Sequence, residues 1–110
     1  MIKTALKILI LAGLTMPFTL MAAGSPEAGQ QKSEVCVACH GTDGKSVDPS
    51  YPNLAGQHES YLVKALSDYR SGKRTNAIMA GFAANLTNQD IEDLAAWYSS
   101  QDGLQDISIK

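Results

Sequence analysis

Cys36-Val37-Ala38-Cys39-His40 sets two thiols three residues apart with an imidazole directly after the second, and these are the chain's only cysteines. In an exported protein a C-x-x-C-H run is the signature of covalent c-type haem attachment. Each thiol adds to one of the two haem vinyl groups to form a thioether. Cysteines three apart on one helical turn point the same way and reach both vinyls. The histidine that follows is then held beneath the porphyrin, where its imidazole can bind iron. On the motif alone three other uses stay open. A thioredoxin-like dithiol needs a βαβ sheet, and the chain shows no convincing strand. A structural zinc site needs four ligands, for which only Cys36, Cys39, His40 and a distant His58 are on offer. A plain disulfide would close an uncommonly short loop.

Residues 1–23 read as an export signal, outside the fold. Lys3 and Lys7 form a positive n-region, Ile8 to Leu14 an apolar h-region, and Met21-Ala22-Ala23-Gly24 a small-residue cleavage site. Cleavage after Ala23 is the first choice and after Gly24 the next. A retained membrane anchor is the competing reading. Thr15, Pro17 and Thr19 interrupt a run already shorter than the roughly 20 apolar residues a span requires. Export predicts a periplasmic protein with no membrane span once processed. Losing Lys3 and Lys7 leaves seven Lys and Arg against eleven Asp and Glu, a net charge of −4. No basic stripe remains to neutralise phosphates, so nucleic acid is not an expected partner. What remains is one domain, 24–103, with a C-terminal tail, 104–110. About 87 residues is marginal for a core without a staple, and a buried haem supplies one.

Ser25-Pro26-Glu27 gives an N-cap, a proline at the first helical position and an acid in the first turn. The expected helix runs from there to about Cys39. Gly41 to Gln57 is turn-rich and reads as a loop against the histidine side of the haem. A second helix starts near His58 or Glu59, carries Tyr61, Leu62, Ala65, Leu66 and Tyr69 as one apolar stripe, and ends at Ser71-Gly72. Residues 72–87 form a long connection with one short helical turn around Ala77 to Ala84. Thr87 to Asp90 resembles a capping box. It opens a third helix with Ile91, Leu94, Ala95, Trp97 and Tyr98 on one face, stopping near Gln101. The tail reads as a frayed terminus, with contact to the body or to a partner as the other reading.

Once the signal is removed, Met79 is the only methionine. This reading places it in an irregular loop about forty residues after His40, where it can approach the opposite face of the disc. Its one rival as a strong ligand is His58, expected to face solvent near a helix N-terminus. A thioether is soft and neutral and favours Fe(II), so His40/Met79 ligation would raise the reduction potential.

With the motif upstream and Met79 downstream, the chain resembles the class I c-type cytochromes over its whole mature length. Tyr51-Pro52-Asn53-Leu54-Ala55-Gly56-Gln57, Tyr61-Leu62 and Tyr69-Arg70-Ser71-Gly72-Lys73-Arg74-Thr75-Asn76 are similar to one half of the bacterial dihaem cytochrome c4 type. Met79-Ala80-Gly81 and Leu94-Ala95-Ala96-Trp97-Tyr98-Ser99-Ser100-Gln101 continue the likeness. A single C-x-x-C-H makes this chain a monohaem relative. The resemblance implies an all-α small cytochrome c fold, with three main helices plus loops wrapped around one covalent haem c. It implies crossed N- and C-terminal helices, Gly29 meeting Leu94 and Trp97. It also implies that Pro52 offers its carbonyl to the Nδ1–H of His40 and that Leu54 packs on the haem. Arg74, with Tyr69 and Asn76, would lie near a propionate, although Arg70, Lys73 and Arg74 equally read as ordinary solvated cations. The implied function is a one-electron carrier, not an enzyme, between respiratory or dehydrogenase redox partners. Docking would be brief, with the acidic surface steering towards a basic patch. Two alternatives stand beside it. One is a haem enzyme or small-gas sensor with a displaceable sixth ligand. The other is a fixed electron-transfer subunit of a dehydrogenase, contacted through Leu104, Ile107 and Ile109.

Overall fold

Ser25 caps the first helix as the sequence predicts: its Oγ accepts from Ala28 N at 3.2 Å and Pro26 takes the first helical position. The computed structural model describes residues 23–104 and Gly13; the expected export signal and the tail beyond Leu104 lie outside the described residues. Five helices follow, and no strand occurs among the described residues. They are α1 (Pro26–Lys32), α2 (Val37–His40), α3 (Glu59–Ser71), α4 (Ala77–Ala83) and α5 (Asn88–Ser99).

One boundary differs from expectation. The single helix predicted to Cys39 is broken, because a 3₁₀ turn over Ser33–Cys36 separates α1 from α2. The cause is local. Buried Ser33 donates its hydroxyl back to Gln30 O at 2.7 Å, a bond that competes with the α-helical ladder and tightens the turn. The short helical turn expected around Ala77 to Ala84 is present as α4, capped by Asn76. α5 begins with the expected capping box: Thr87 Oγ1 accepts from Asp90 N at 3.0 Å, and Asp90 accepts from Thr87 N at 2.8 Å.

The architecture turns on α1 crossing α5, with α3 against α5 and α4 against α3. The crossing is close because Gly29 has no side chain. A Cβ there would sit 1.9 Å from Asp93 O and 2.7 Å from Trp97 Cβ, so Gly29 meets the last helix at Asp93 and at Trp97. A polar clasp closes the same contact. Asp93, only 3% exposed, accepts from Ser25 N at 2.8 Å, Gln89 Nε2 at 2.9 Å and Lys32 Nζ at 2.5 Å. Lys32 also reaches Asp90 at 2.8 Å. Beneath lies a small apolar core of Leu62, Leu94, Ala95 and Tyr98, with Leu54, Leu66, Leu86 and Trp97 packed on it.

Gly29→Ala therefore drives a methyl into a helix backbone and should lower stability by at least about 2 kcal/mol in a denaturant titration. The clasp has a pH signature. The Lys32 ammonium, then the Ser25 N–H, hold the Asp93 carboxyl down at about 2 from its ordinary 3.8. A depressed carboxylate contributes stability that is complete above its unfolded value, near pH 4, and is lost as pH falls through about 2. Asp93 should supply about 2 kcal/mol of the acid sensitivity in that window. Asp93→Asn should be less stable at neutral pH and flatter than the native protein between those limits.

Candidate functional site

α2 ends at His40, and Gly41 (φ 77°) turns the chain back in the left-handed region, where only glycine is unstrained. The loop returns over the imidazole. Val47 N donates to Cys39 O at 3.3 Å, Leu54 N and Ala55 N donate to Gly44 O at 2.7 and 3.1 Å, and Ser46 N donates to Asn53 Oδ1 at 2.8 Å. Gly56 N ties its end to Tyr98 O of α5 at 2.9 Å. Pinned this way, the loop sets Pro52 O 2.8 Å from Nδ1 of the buried His40. A carbonyl can only accept, so Nδ1 carries the proton and Nε2 keeps its lone pair for a metal.

The Cys36 and Cys39 thiols are free and half-buried. Burial pushes the Cys36 thiol up, partly offset by the Tyr98 hydroxyl beside it. Together with His40 they form one wall of a cleft of about 410 Å³, a size typical of cofactor sites. Pro52 and Leu54 extend that wall. Tyr69, Arg74, Asn76 and Met79 line the same cleft. The structure thus gathers all nine residues that the sequence singled out around one cavity.

Two of them sit differently from expectation. Met79 belongs to the helix α4, not to an irregular loop. Asn76 is that helix's cap: its Oδ1 accepts from Ile78 N at 3.1 Å and Met79 N at 3.0 Å, which commits the oxygen and leaves only the amide nitrogen for a bound group. Arg74 is a held cation rather than a freely solvated one. Its Nη1 donates to Tyr61 Oη at 3.1 Å, and the guanidinium lies over the Tyr69 and Tyr61 rings, 5.0 and 6.0 Å from their centroids. Among the described residues no Asp or Glu lines the cleft. Tyr61 was missed as a site residue because its place in the α3 stripe reads as core. It is 47% exposed and forms the cleft wall. No local signal tells a stripe that packs on protein from one that packs on a cofactor.

His58 is exposed at the N-cap of α3 and is not part of the cleft wall. Among the described residues there is no sheet to house a dithiol oxidoreductase site, and no group of three or more His, Cys, Asp or Glu is placed to hold a metal ion alone. The donor set fits an iron porphyrin: apolar walls, two thiols on one turn, an imidazole with Nε2 free, and a thioether from α4.

Comparison with known proteins agrees. The family model described as Cytochrome c matches residues 26–102. The chain is 48% identical over 97 residues to cytochrome c4 of Pseudomonas aeruginosa, covering 86% of this chain and 48% of that protein. It is 48% identical over 83 residues to cytochrome c-554(548) of Halomonas halodenitrificans, covering 73% of this chain and 100% of that one. The solved structure of reduced recombinant cytochrome c4 from Pseudomonas stutzeri superimposes with a TM-score of 0.71 at 47% identity, over 74% of this chain and 48% of the other. The chain spans about half the length of the cytochromes c4 that it matches.

Removing the α4 cap tests how the Met79 side of the cleft is held. Asn76→Ala should cost about 1 kcal/mol and speed amide hydrogen exchange at Ile78 and Met79, while the α5 amides keep their protection.

Proposed function

The chain belongs to the cytochrome c family, and on that footing we propose that it is a monohaem electron carrier of the periplasm with His40 and Met79 as axial ligands. Family membership and the Cys36/Cys39/His40 motif together give it one haem c, bound covalently through the two cysteines. When bound, that group supplies a one-electron Fe(II)/Fe(III) couple.

The chain's own residues do the rest. Pro52 O fixes the His40 ring and its tautomer and strengthens Nε2 as a donor. Leu54, Leu62, Ala65, Leu66 and Leu94 keep water from the cleft walls. A dry, low-dielectric setting disfavours extra charge, and so favours the ferrous state together with the Met79 thioether. Arg74, oriented by Tyr61 and Tyr69, offers a positive charge to a carboxylate of the bound group. The observation that carries this reading is that Cys36, Cys39, His40 and Met79 wall one cleft. With protein donors at both axial positions no substrate would reach the metal, and the protein acts as a carrier, not an enzyme. Its partners are proteins that give or take one electron in brief encounters. The periplasmic location rests on the export signal read in residues 1–23. Among the described residues no helix is long and apolar enough to cross a membrane.

The oxidised protein should show the weak far-red charge-transfer band of a methionine–ferric bond. Met79→Ala should abolish that band and lower the midpoint potential, whereas His58→Ala should leave both unchanged. Rapid carbon monoxide binding by the reduced native protein would instead indicate the enzyme or gas-sensor class.

A further inference from the structure

The chain does not leave the body where α5 ends. Gly103 and Leu104 lie against the end of the return loop, backbone to backbone, and Leu104 N donates to Ala55 O at 2.8 Å. A Cβ on Gly103 would sit 2.3 Å from Ala55 O and 2.6 Å from Ala55 Cβ. The φ of Gly103 is not in the left-handed region, so contact with Ala55 is what excludes a side chain. Gly56 meets the same segment, where its own Cβ would lie 2.7 Å from Leu104 O and 2.8 Å from Leu104 N. Ala55 is 2% exposed and is held at its amide as well. Its N–H donates to Gly44 O at 3.1 Å, and a Cβ on Gly44 would lie 2.7 Å from Ala55 N. One residue is thus clamped by its N–H and by its carbonyl, between two glycines. Three positions before it stands Pro52, whose carbonyl accepts from His40 Nδ1 at 2.8 Å. Between them Asn53 Oδ1 accepts from Ser46 N, and Leu54 N donates to Gly44 O, so the short run from Pro52 to Ala55 is braced at each step.

We propose that Gly103 and Leu104 are positioning residues for the axial histidine: by clamping Ala55 they hold Pro52 O on Nδ1 of His40. The inference rests on the electron-carrier reading and adds a control of the iron couple by the segment that follows α5. The Pro52 bond makes Nε2 a stronger donor, which favours Fe(III), whereas the Met79 thioether favours Fe(II). The balance depends on Pro52 O staying at hydrogen-bond length. A surface loop keeps such a length only if something outside it fixes its ends. Gly44, Ser46 and Asn53 belong to the loop itself. At its C-terminal end the outside anchors are Tyr98 O, which accepts from Gly56 N at 2.9 Å, and the Gly103–Leu104 segment.

The test uses the haem-loaded protein in its diamagnetic ferrous state, followed by proton NMR in D2O. The His40 Nδ1–H, covered by Pro52 O, exchanges when the loop lifts. Gly103→Ala pushes a methyl against Ala55 and should speed that exchange at least about tenfold. The Leu54 and Ala55 amides should follow, and the midpoint potential should shift upward as Nε2 becomes a weaker donor. Leu104→Pro removes the N–H that Ala55 O accepts and adds no bulk at Gly103. It should act in the same direction, and it carries the test if Gly103→Ala does not fold. Thr87→Ala removes the cap at the other end of α5 and lowers stability in general. It should leave the Nδ1–H exchange and the potential near their native values. Native-like exchange and potential in both segment variants, a potential that falls, or equal changes in Thr87→Ala would overturn the proposal. Protein lacking covalent haem, or native haem without the methionine–ferric band, would count against the carrier reading. Sound haem ligation that is indifferent to Gly103→Ala and Leu104→Pro would count against the clamp alone.

Discussion

Apolar side chains of α3, α4 and the motif turn line one shared cleft, and the other features of the molecule answer to that choice. Leu62, Ala65, Leu66 and Tyr69 of α3 line it with Met79 and Phe82 of α4 and the Cys36–Cys39–His40 turn. Among the described residues, the buried apolar side chains outside the cleft lining are Ala55, Ala83, Ile91, Ala95 and Ala96. Fully burying one large aliphatic side chain is worth about 1.5–3 kcal/mol, while ordering each residue costs a comparable amount. A domain this small with so few buried aliphatics draws its cohesion from the covalent haem. The 3₁₀ break at Ser33, the looped return to Pro52 and the capped α4 are the means by which a short chain reaches round a disc.

The features legible in the sequence are those fixed by local chemistry. The C-x-x-C-H spacing, the Thr87 and Ser25 caps and the apolar face of α5 depend on neighbours within a few residues. The His40–Pro52 bond and the Gly29 crossing became readable through the family likeness, because no local rule pairs residues 12 or 64 positions apart. What escaped was settled by competition over short distances. Ser33 bonding back to Gln30 O ended a helix that capping alone would have continued. Asn76 closing on Ile78 N and Met79 N was missed as the cap of the helical turn expected there, because Asn76 was read only as a residue near a propionate. Tyr61 sits in a stripe that looks like core, and only the fold tells that its hydroxyl meets Arg74.

Charge is sorted as strictly as apolar surface. The anions gathered at the α1–α5 crossing are spent on Lys32, Ser25 N and Gln89, so the buried carboxylate there is satisfied on several sides, as burial demands. The cleft is lined by none of the described acids. Net charge is a poor guide to such a molecule, because its carboxylates are unevenly placed.

The clasp at Asp93 joins positions 61 and 68 residues away along the chain, Lys32 and Ser25. Fastened there, the polypeptide is topologically a ring, with everything from α2 to α4 strung between its ends. The entropy of closing a loop grows with the logarithm of its length, so a ring of roughly 60 residues costs about 2–3 kcal/mol more to shut than a four-residue turn. An ion-paired carboxylate worth about 2 kcal/mol does little more than offset that closure, so the crossing also needs the close backbone approach that Gly29 permits.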